Sequence, residues 1–196
     1  MKKLAITIAA VFATLNIFAQ GTVNFSNIGL GANVTMGVPI TVGTTVYAVG
    51  AKAPGGTTFS LALYYAPFDA ANPVPPDAST MASVGASATL AAAGTYNAGT
   101  RTVTAIVPPG YFGWFQVRAW ATAFGQTYEQ AVTATQLTGV TTIIKVDTGD
   151  PTTVPPGTPG QLTGISGLVI GVVPEPSIIG LGLLGGVAML LLRRRK

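Results

Sequence analysis

Apolar side chains recur at every second residue over much of this chain, and that period constrains its fold more than any other feature. In an extended backbone Phe59, Leu61, Leu63 and Tyr65 face one way, and Thr58, Ser60, Ala62 and Tyr64 the other. Val38, Ile40 and Val42 alternate with Pro39 and Thr41. Val103, Ala105 and Val107 alternate ahead of the Pro108-Pro109-Gly110 break. Phe115, Val117, Ala119 and Ala121 make a further face, and residues 140–146 read as another strand. Turn signals separate these runs: Pro54-Gly55-Gly56, Asn72-Pro73 through Pro76-Asp77, Asn97-Ala98-Gly99 and Gly149-Asp150-Pro151. Helical period is nearly absent. Only 70–82, broken by prolines, and a turn near 128–132 are candidates. The expectation is all-β: a single β-sandwich of jelly-roll or immunoglobulin-like kind over residues 20–173.

The two ends do not share this pattern. Lys2 and Lys3 precede an apolar stretch from Leu4 to Leu15, and Ala19 offers a small residue for cleavage before Gln20. That is the layout of a secretory signal peptide over residues 1–19, helical until removed, which implies the Sec export machinery and signal peptidase as partners. At the other end, residues 177–192 are uncharged and precede Arg193, Arg194, Arg195 and Lys196. A helix of that length spans roughly 24 Å at about 1.5 Å per residue, short of a ~30 Å bilayer core. The terminal cations extend its reach by snorkelling, and they mark the cytoplasmic side, so the preceding domain is expected outside.

Between the ends lies a nearly neutral domain. The whole chain carries net charge +4, but Lys2, Lys3 and the last four residues supply six of its ten cations. Lys52, Arg101, Arg118 and Lys145 remain against Asp69, Asp77, Glu129, Asp147 and Asp150, a balance of −1. Nucleic-acid binding, which needs a basic stripe, therefore has no support. Absence of cysteine means that a packed core, not disulfides, must hold the domain.

Residues 149–164 combine Pro151, Pro155, Pro156 and Pro159 with four threonines. They read either as an extended stalk or as a long loop returning residues 165–173 to the sheet as a last strand. The loop is the preferred reading, because a stalk would leave that apolar run exposed.

Val173-Pro174-Glu175-Pro176-Ser177, followed by the membrane-length run and the basic cluster, closely resembles the PEP-CTERM signal of exosortase substrates. The resemblance implies that an exosortase reads Pro174, Glu175, Pro176 and Ser177 and cleaves nearby. The precursor would then be anchored in the inner membrane, and the product delivered to the cell surface or matrix. Gln20-Gly21-Thr22-Val23-Asn24-Phe25 also resembles the mature start of secreted β proteins bearing such tails. So do Gln116-Val117-Arg118-Ala119-Trp120 and Thr127-Tyr128-Glu129-Gln130-Ala131 as an internal stretch. That likeness carries no assigned activity.

Catalytic chemistry is poorly provided for. Without histidine or cysteine there is no Ser-His-Asp or Cys-His system and no His/Cys metal site, and no cofactor is expected. Asp147-Thr148-Gly149 resembles an aspartic-protease turn, but it occurs once where two aspartates must share a proton. Asp147 and Asp150 could offer oxygens to calcium, although such a site needs further ligands. Gly180, Gly182 and Gly185 spell a nucleotide-loop pattern inside the membrane run, where no βαβ unit can follow. Gly182 and Gly186 are spaced for helix pairing in a membrane.

Trp114, Gln116, Arg118 and Trp120 share one face of a strand. They read either as a flat glycan platform or as the second core of a strand covered on both sides. The expected function is a non-enzymatic surface or matrix protein associated with exopolysaccharide. The alternative is a secreted carbohydrate-binding or glycoside-hydrolysing domain using a carboxylate pair.

Overall fold

A computed structural model describes residues 21–103, 111–134 and 136–172. The signal segment with Ala19 and Gln20, the strand positions Ala105 and Val107, and everything from Val173 onward lie outside the described residues. The described chain is all-β. A seven-stranded sheet runs in the order β2 (Val34–Met36), β12 (Leu168–Val172), β9 (Leu137–Val140), β8 (Phe112–Ala121), β5 (Gly56–Pro67), β6 (Ala82–Leu90), with β10 (Ile144–Asp147) also paired to β8. A three-stranded sheet runs β11 (Gly160–Gln161), β1 (Thr22–Ser26), β7 (Asn97–Thr102). A separate hairpin joins β3 (Ile40–Val42) and β4 (Thr45–Tyr47).

β5 and β8 form the spine. They pair antiparallel in unbroken register from Phe59↔Ala121 to Pro67↔Gly113, which sets Leu61 against Ala119, Leu63 against Val117 and Tyr65 against Phe115. Their shared alternation delivers one row to the main core, where Val23 and Phe25 from β1 meet Leu162, Leu168 and Ile170. Each large apolar side chain removed from water there is worth about 1.5–3 kcal/mol. The opposite row forms a smaller second core of Ala62, Tyr64, Ala66, Met81, Trp114, Trp120 and Ala131. Over this face lie a single-turn 3₁₀ helix, Ala78–Thr80, and a short helix α1, Tyr128–Thr133.

Several expectations need correction. Residues 140–146 are not one strand but β9 and β10 separated by a bulge. Arg118 faces Val140 and Phe115 faces Ile144, so three residues oppose two. Thr141 bridges the gap: its N–H donates to Val117 O (3.0 Å), and its Oγ1 accepts from Val117 N (2.9 Å). The extra residue exchanges the faces, so Ile144 and Val146 join the main core while Thr138 and Ile143 turn to the second side. Asn97-Ala98-Gly99 is not a turn either but the bulged start of β7, with Gly99 at φ 70°. The reversal lies earlier, where Ala92 bridges Thr95. Of 70–82, only Ala78–Thr80 is helical, and of 38–42 only Ile40–Val42 is strand.

The proline-rich stretch behaves as a loop. Gly157 N donates to Asp150 O (2.7 Å), β11 pairs parallel with β1, and β12 enters the large sheet between β2 and β9. Leu162, Ile165, Leu168 and Ile170 are all buried, so burial of this apolar run drives the return.

Candidate functional site

The row Trp114, Gln116, Arg118, Trp120 does point to one side of β8, but it offers no open platform. These side chains are 8, 5, 5 and 2% exposed, which leaves no aromatic face for a sugar ring. β8 is central in its sheet and covered on both sides, so the second-core reading describes the row and the glycan-platform expectation is withdrawn.

What the row builds is a clamp around a buried guanidinium. Arg118 Nε donates to Gln116 Oε1 (2.9 Å), Nη1 to Glu129 Oε1 (3.4 Å) and Nη2 to the Ala78 carbonyl. The guanidinium lies 3.8 Å from the centre of the Tyr64 ring and 5.3 Å from that of Tyr128, so its faces are stacked while its edges are bonded. Tyr64 Oη donates to Glu129 Oε1 (2.7 Å), and Gln116 Nε2 donates to Thr141 O (2.9 Å). The cation thereby ties β8 to α1 and to the 3₁₀ turn, and Gln116, its neighbour, ties β8 to the β9–β10 bulge.

The local sequence explains how α1 arrives there. Thr127 Oγ1 accepts from Gln130 N while Gln130 Oε1 accepts from Thr127 N, a reciprocal cap that starts the helix. Trp120 Nε1 donates to Gly125 O (3.0 Å), and Ala131 is fully buried in the second core. The stretches 116–120 and 127–131 are thus two halves of one structural fastening.

Its electrostatics follow from this geometry. Burial alone would raise the Glu129 carboxyl, but bonds from Tyr64 and from its own backbone amide, with the Arg118 charge, hold it below the ordinary range. Burial, reinforced by the neighbouring Glu129, pushes the Tyr64 hydroxyl well above its usual value. Among the described residues Glu129 is the sole carboxylate in the clamp, which therefore holds no carboxylate pair.

An open groove of about 600 Å³ lies elsewhere, at the β10 edge, lined by Phe112, Lys145, Asp147, Asp150, Gln161 and Thr163 among others. It is where the β8 row emerges: Phe112, two residues before Trp114, is 42% exposed. Lys145 Nζ stands 4.2 Å from the Phe112 ring centre and 4.5 Å from that of Phe68. Asp147 ends β10, and the following Thr148 donates its hydroxyl to Tyr111 O, so Asp147-Thr148-Gly149 is a strand end. Asp150 Oδ1 accepts from Thr152 N and Oγ1, closing a local turn. Among the described residues no three acids converge as a metal site would need, and no helix is long and apolar enough to cross a membrane.

Sequence reading overlooked Tyr64 and the Ala78 carbonyl as Arg118 partners, and Phe112 and Lys145 as part of the groove wall. The alternation of aromatic residues continuing from Trp114 back to Phe112 was the available signal. Pro174, Glu175, Pro176, Ser177 and the basic tail Arg193, Arg194, Arg195, Lys196 lie outside the described residues. Comparison with protein-family models, with curated proteins and with solved structures returns no match.

Proposed function

We propose that this chain is an exported, non-enzymatic surface or extracellular-matrix protein, sorted through its PEP-CTERM-like tail and associated with exopolysaccharide. Signal peptidase and the Sec machinery handle residues 1–19, a transmembrane helix over 177–192 holds the precursor in the inner membrane, and an exosortase processes the Pro174-Glu175-Pro176 motif. The exported portion is a single β-sandwich of jelly-roll or immunoglobulin-like kind, with the three-stranded sheet as its second layer.

One observation supports this reading most. The fold fits between the two address segments without surplus: Gly21 is already buried and bonded to Val103 N, and β12 runs to Val172, next to Val173-Pro174. Replacing Pro174, Glu175 and Pro176 by alanine should leave full-length protein in the membrane fraction. Tail-free product at the wild-type level would refute the sorting role. Mass analysis of the mature N-terminus should give a peptide beginning at Gln20, and one beginning at Met1 would refute signal cleavage.

The groove favours a second reading, a carbohydrate-binding or glycoside-hydrolysing domain, because Asp147 and Asp150 line it together with the exposed Phe112. Retention on immobilised polysaccharide without release of reducing ends supports binding. Release that disappears in Asp147→Asn identifies hydrolysis.

A further inference from the structure

Among the described residues most strand edges are bonded, covered or guarded by a charged side chain. The outer side of β2 is occupied: Met36 N donates to Ala51 O (2.9 Å), Gly50 N to Met36 O (2.7 Å) and Val34 N to Gly94 O (2.9 Å). β6 lies beside β7, whose Arg101 donates to Ala86 O (3.2 Å) and packs its stem over Gly85. β10 is shut by β11, where Gly160 approaches Asp147 O so closely that no Cβ could stand between them. Covering or charging edges in this way is how β proteins avoid unwanted pairing.

The β3–β4 hairpin lacks even such a guard. Among the described residues its strands pair only with each other, through Ile40↔Tyr47, Thr41↔Val46 and Val42↔Thr45 across the Gly43-Thr44 turn. Ile40 and Tyr47 pack on the main core, which fixes the hairpin's inner face, while Val46 is 68% and nearby Val49 64% exposed. No backbone bond closes the outer side of either strand among the described residues. No charge guards it either: residues 21–51 contain no Asp, Glu, Lys or Arg. The two edges differ in one respect. Pro39, which has no N–H, stands at the entrance to β3, whereas β4 contains no proline.

We propose that β4 is a docking edge for β4 of a second copy of this chain, the two strands running antiparallel about a two-fold axis at Val46. Self-pairing suits the residues. Val46 meets Val46 of the other copy, and Thr45 meets Tyr47 on each side, β-branched and aromatic pairs of the favoured kind. The absence of charge removes the usual means of selecting a foreign partner and also any repulsion between identical strands. Because the contact is isologous it closes at two copies, and Pro39 discourages further addition at β3.

The chain has no cysteine, so a single introduced thiol reports the contact without interference. Full-length Val46→Cys in dodecyl maltoside micelles should oxidise to a disulfide-linked dimer roughly tenfold faster than Val154→Cys, since only the former is held against its twin. Val154 is the stricter control because it is 98% exposed. In sedimentation equilibrium, Val46→Lys should weaken dimerisation by about tenfold or more through like charges placed opposite each other, with an unchanged melting temperature at dilutions where both proteins are monomeric, while Val46→Thr retains the dimer. Equal oxidation of the two cysteine variants, a wild-type monomer at about 100 µM, or a dimer that persists in Val46→Lys would each overturn the proposal. The last outcome would assign association to another surface, the apolar tail included.

Discussion

Arg118→Met is the most informative perturbation of the second core. Methionine keeps an unbranched apolar stem beneath Tyr64 but removes every donor. Gln116 Oε1, on a side chain only 5% exposed, loses its partner, and so does the half-buried Ala78 carbonyl. An orphaned buried acceptor costs about 1–3 kcal/mol. The Glu129 side chain is 59% exposed, so water replaces its partner and that loss is only about 0–1 kcal/mol. The expected total is about 2–4 kcal/mol, which for a domain of this size lowers the melting temperature by roughly 5–15 °C. Tryptophan fluorescence during thermal unfolding reads this directly, because Trp114 and Trp120 flank Arg118 on its strand. A double-mutant cycle with Glu129→Gln should assign no more than about 1 kcal/mol to the ion pair. A melting temperature within about 2 °C of wild type, or a coupling equal to the whole loss, would refute the argument that neutral carbonyl acceptors hold this cation.

Three further outcomes follow from the same contacts. The Glu129 carboxyl is depressed in the folded state, so its stabilisation is present above the ordinary carboxylate range and lost as pH falls through its lowered value. Glu129→Gln should flatten that acid limb of a stability–pH profile. Tyr65 Oη is buried without a hydrogen-bond partner among the described residues, and its pKa is pushed up to about 12 by burial. Tyr65→Phe should therefore be neutral or stabilising by up to ~1 kcal/mol in urea unfolding. A Cβ at Gly113 would stand 2.6 Å from Tyr65 Cε2 and 2.9 Å from Phe115 Cε2. Gly113→Ala should cost about 1–3 kcal/mol by overpacking, measured in the same urea titration.

The legible parts of the sequence were those where one physical signal acted alone. β5 and the row from Phe115 to Ala121 carry large apolar residues at period two, and nothing competes with that pattern. β6 was missed because Ala82–Leu90 is mostly Ala, Ser and Thr, with only Val84 and Leu90 buried. Such a strand is specified by its neighbour β5 rather than by its own residues. The Thr141 bulge escaped notice because a hydroxyl took over a backbone bond, which leaves no mark on hydropathy. Asn97-Ala98-Gly99 misled because glycine with positive φ serves bulges as well as turns. Arg118 was the hardest case. A charged residue between two tryptophans suggests an exposed face, and partners distant in sequence, the Ala78 carbonyl and the Tyr64 ring among them, help make its burial tolerable.

The parallel pairings β1–β11 and β2–β12 set a timetable. Asn24 and Gln161, bonded in the finished fold, are 137 residues apart. At about 5–20 residues per second, synthesis alone separates their appearance by on the order of ten seconds. Until that interval ends, β1 can pair with β7 but lacks β11, β2 lacks β12, and the main core lacks Leu162, Leu168 and Ile170. The sheet can be completed only by the last part of the domain to be made, so unfinished chains are incomplete folds and not shorter versions of this one.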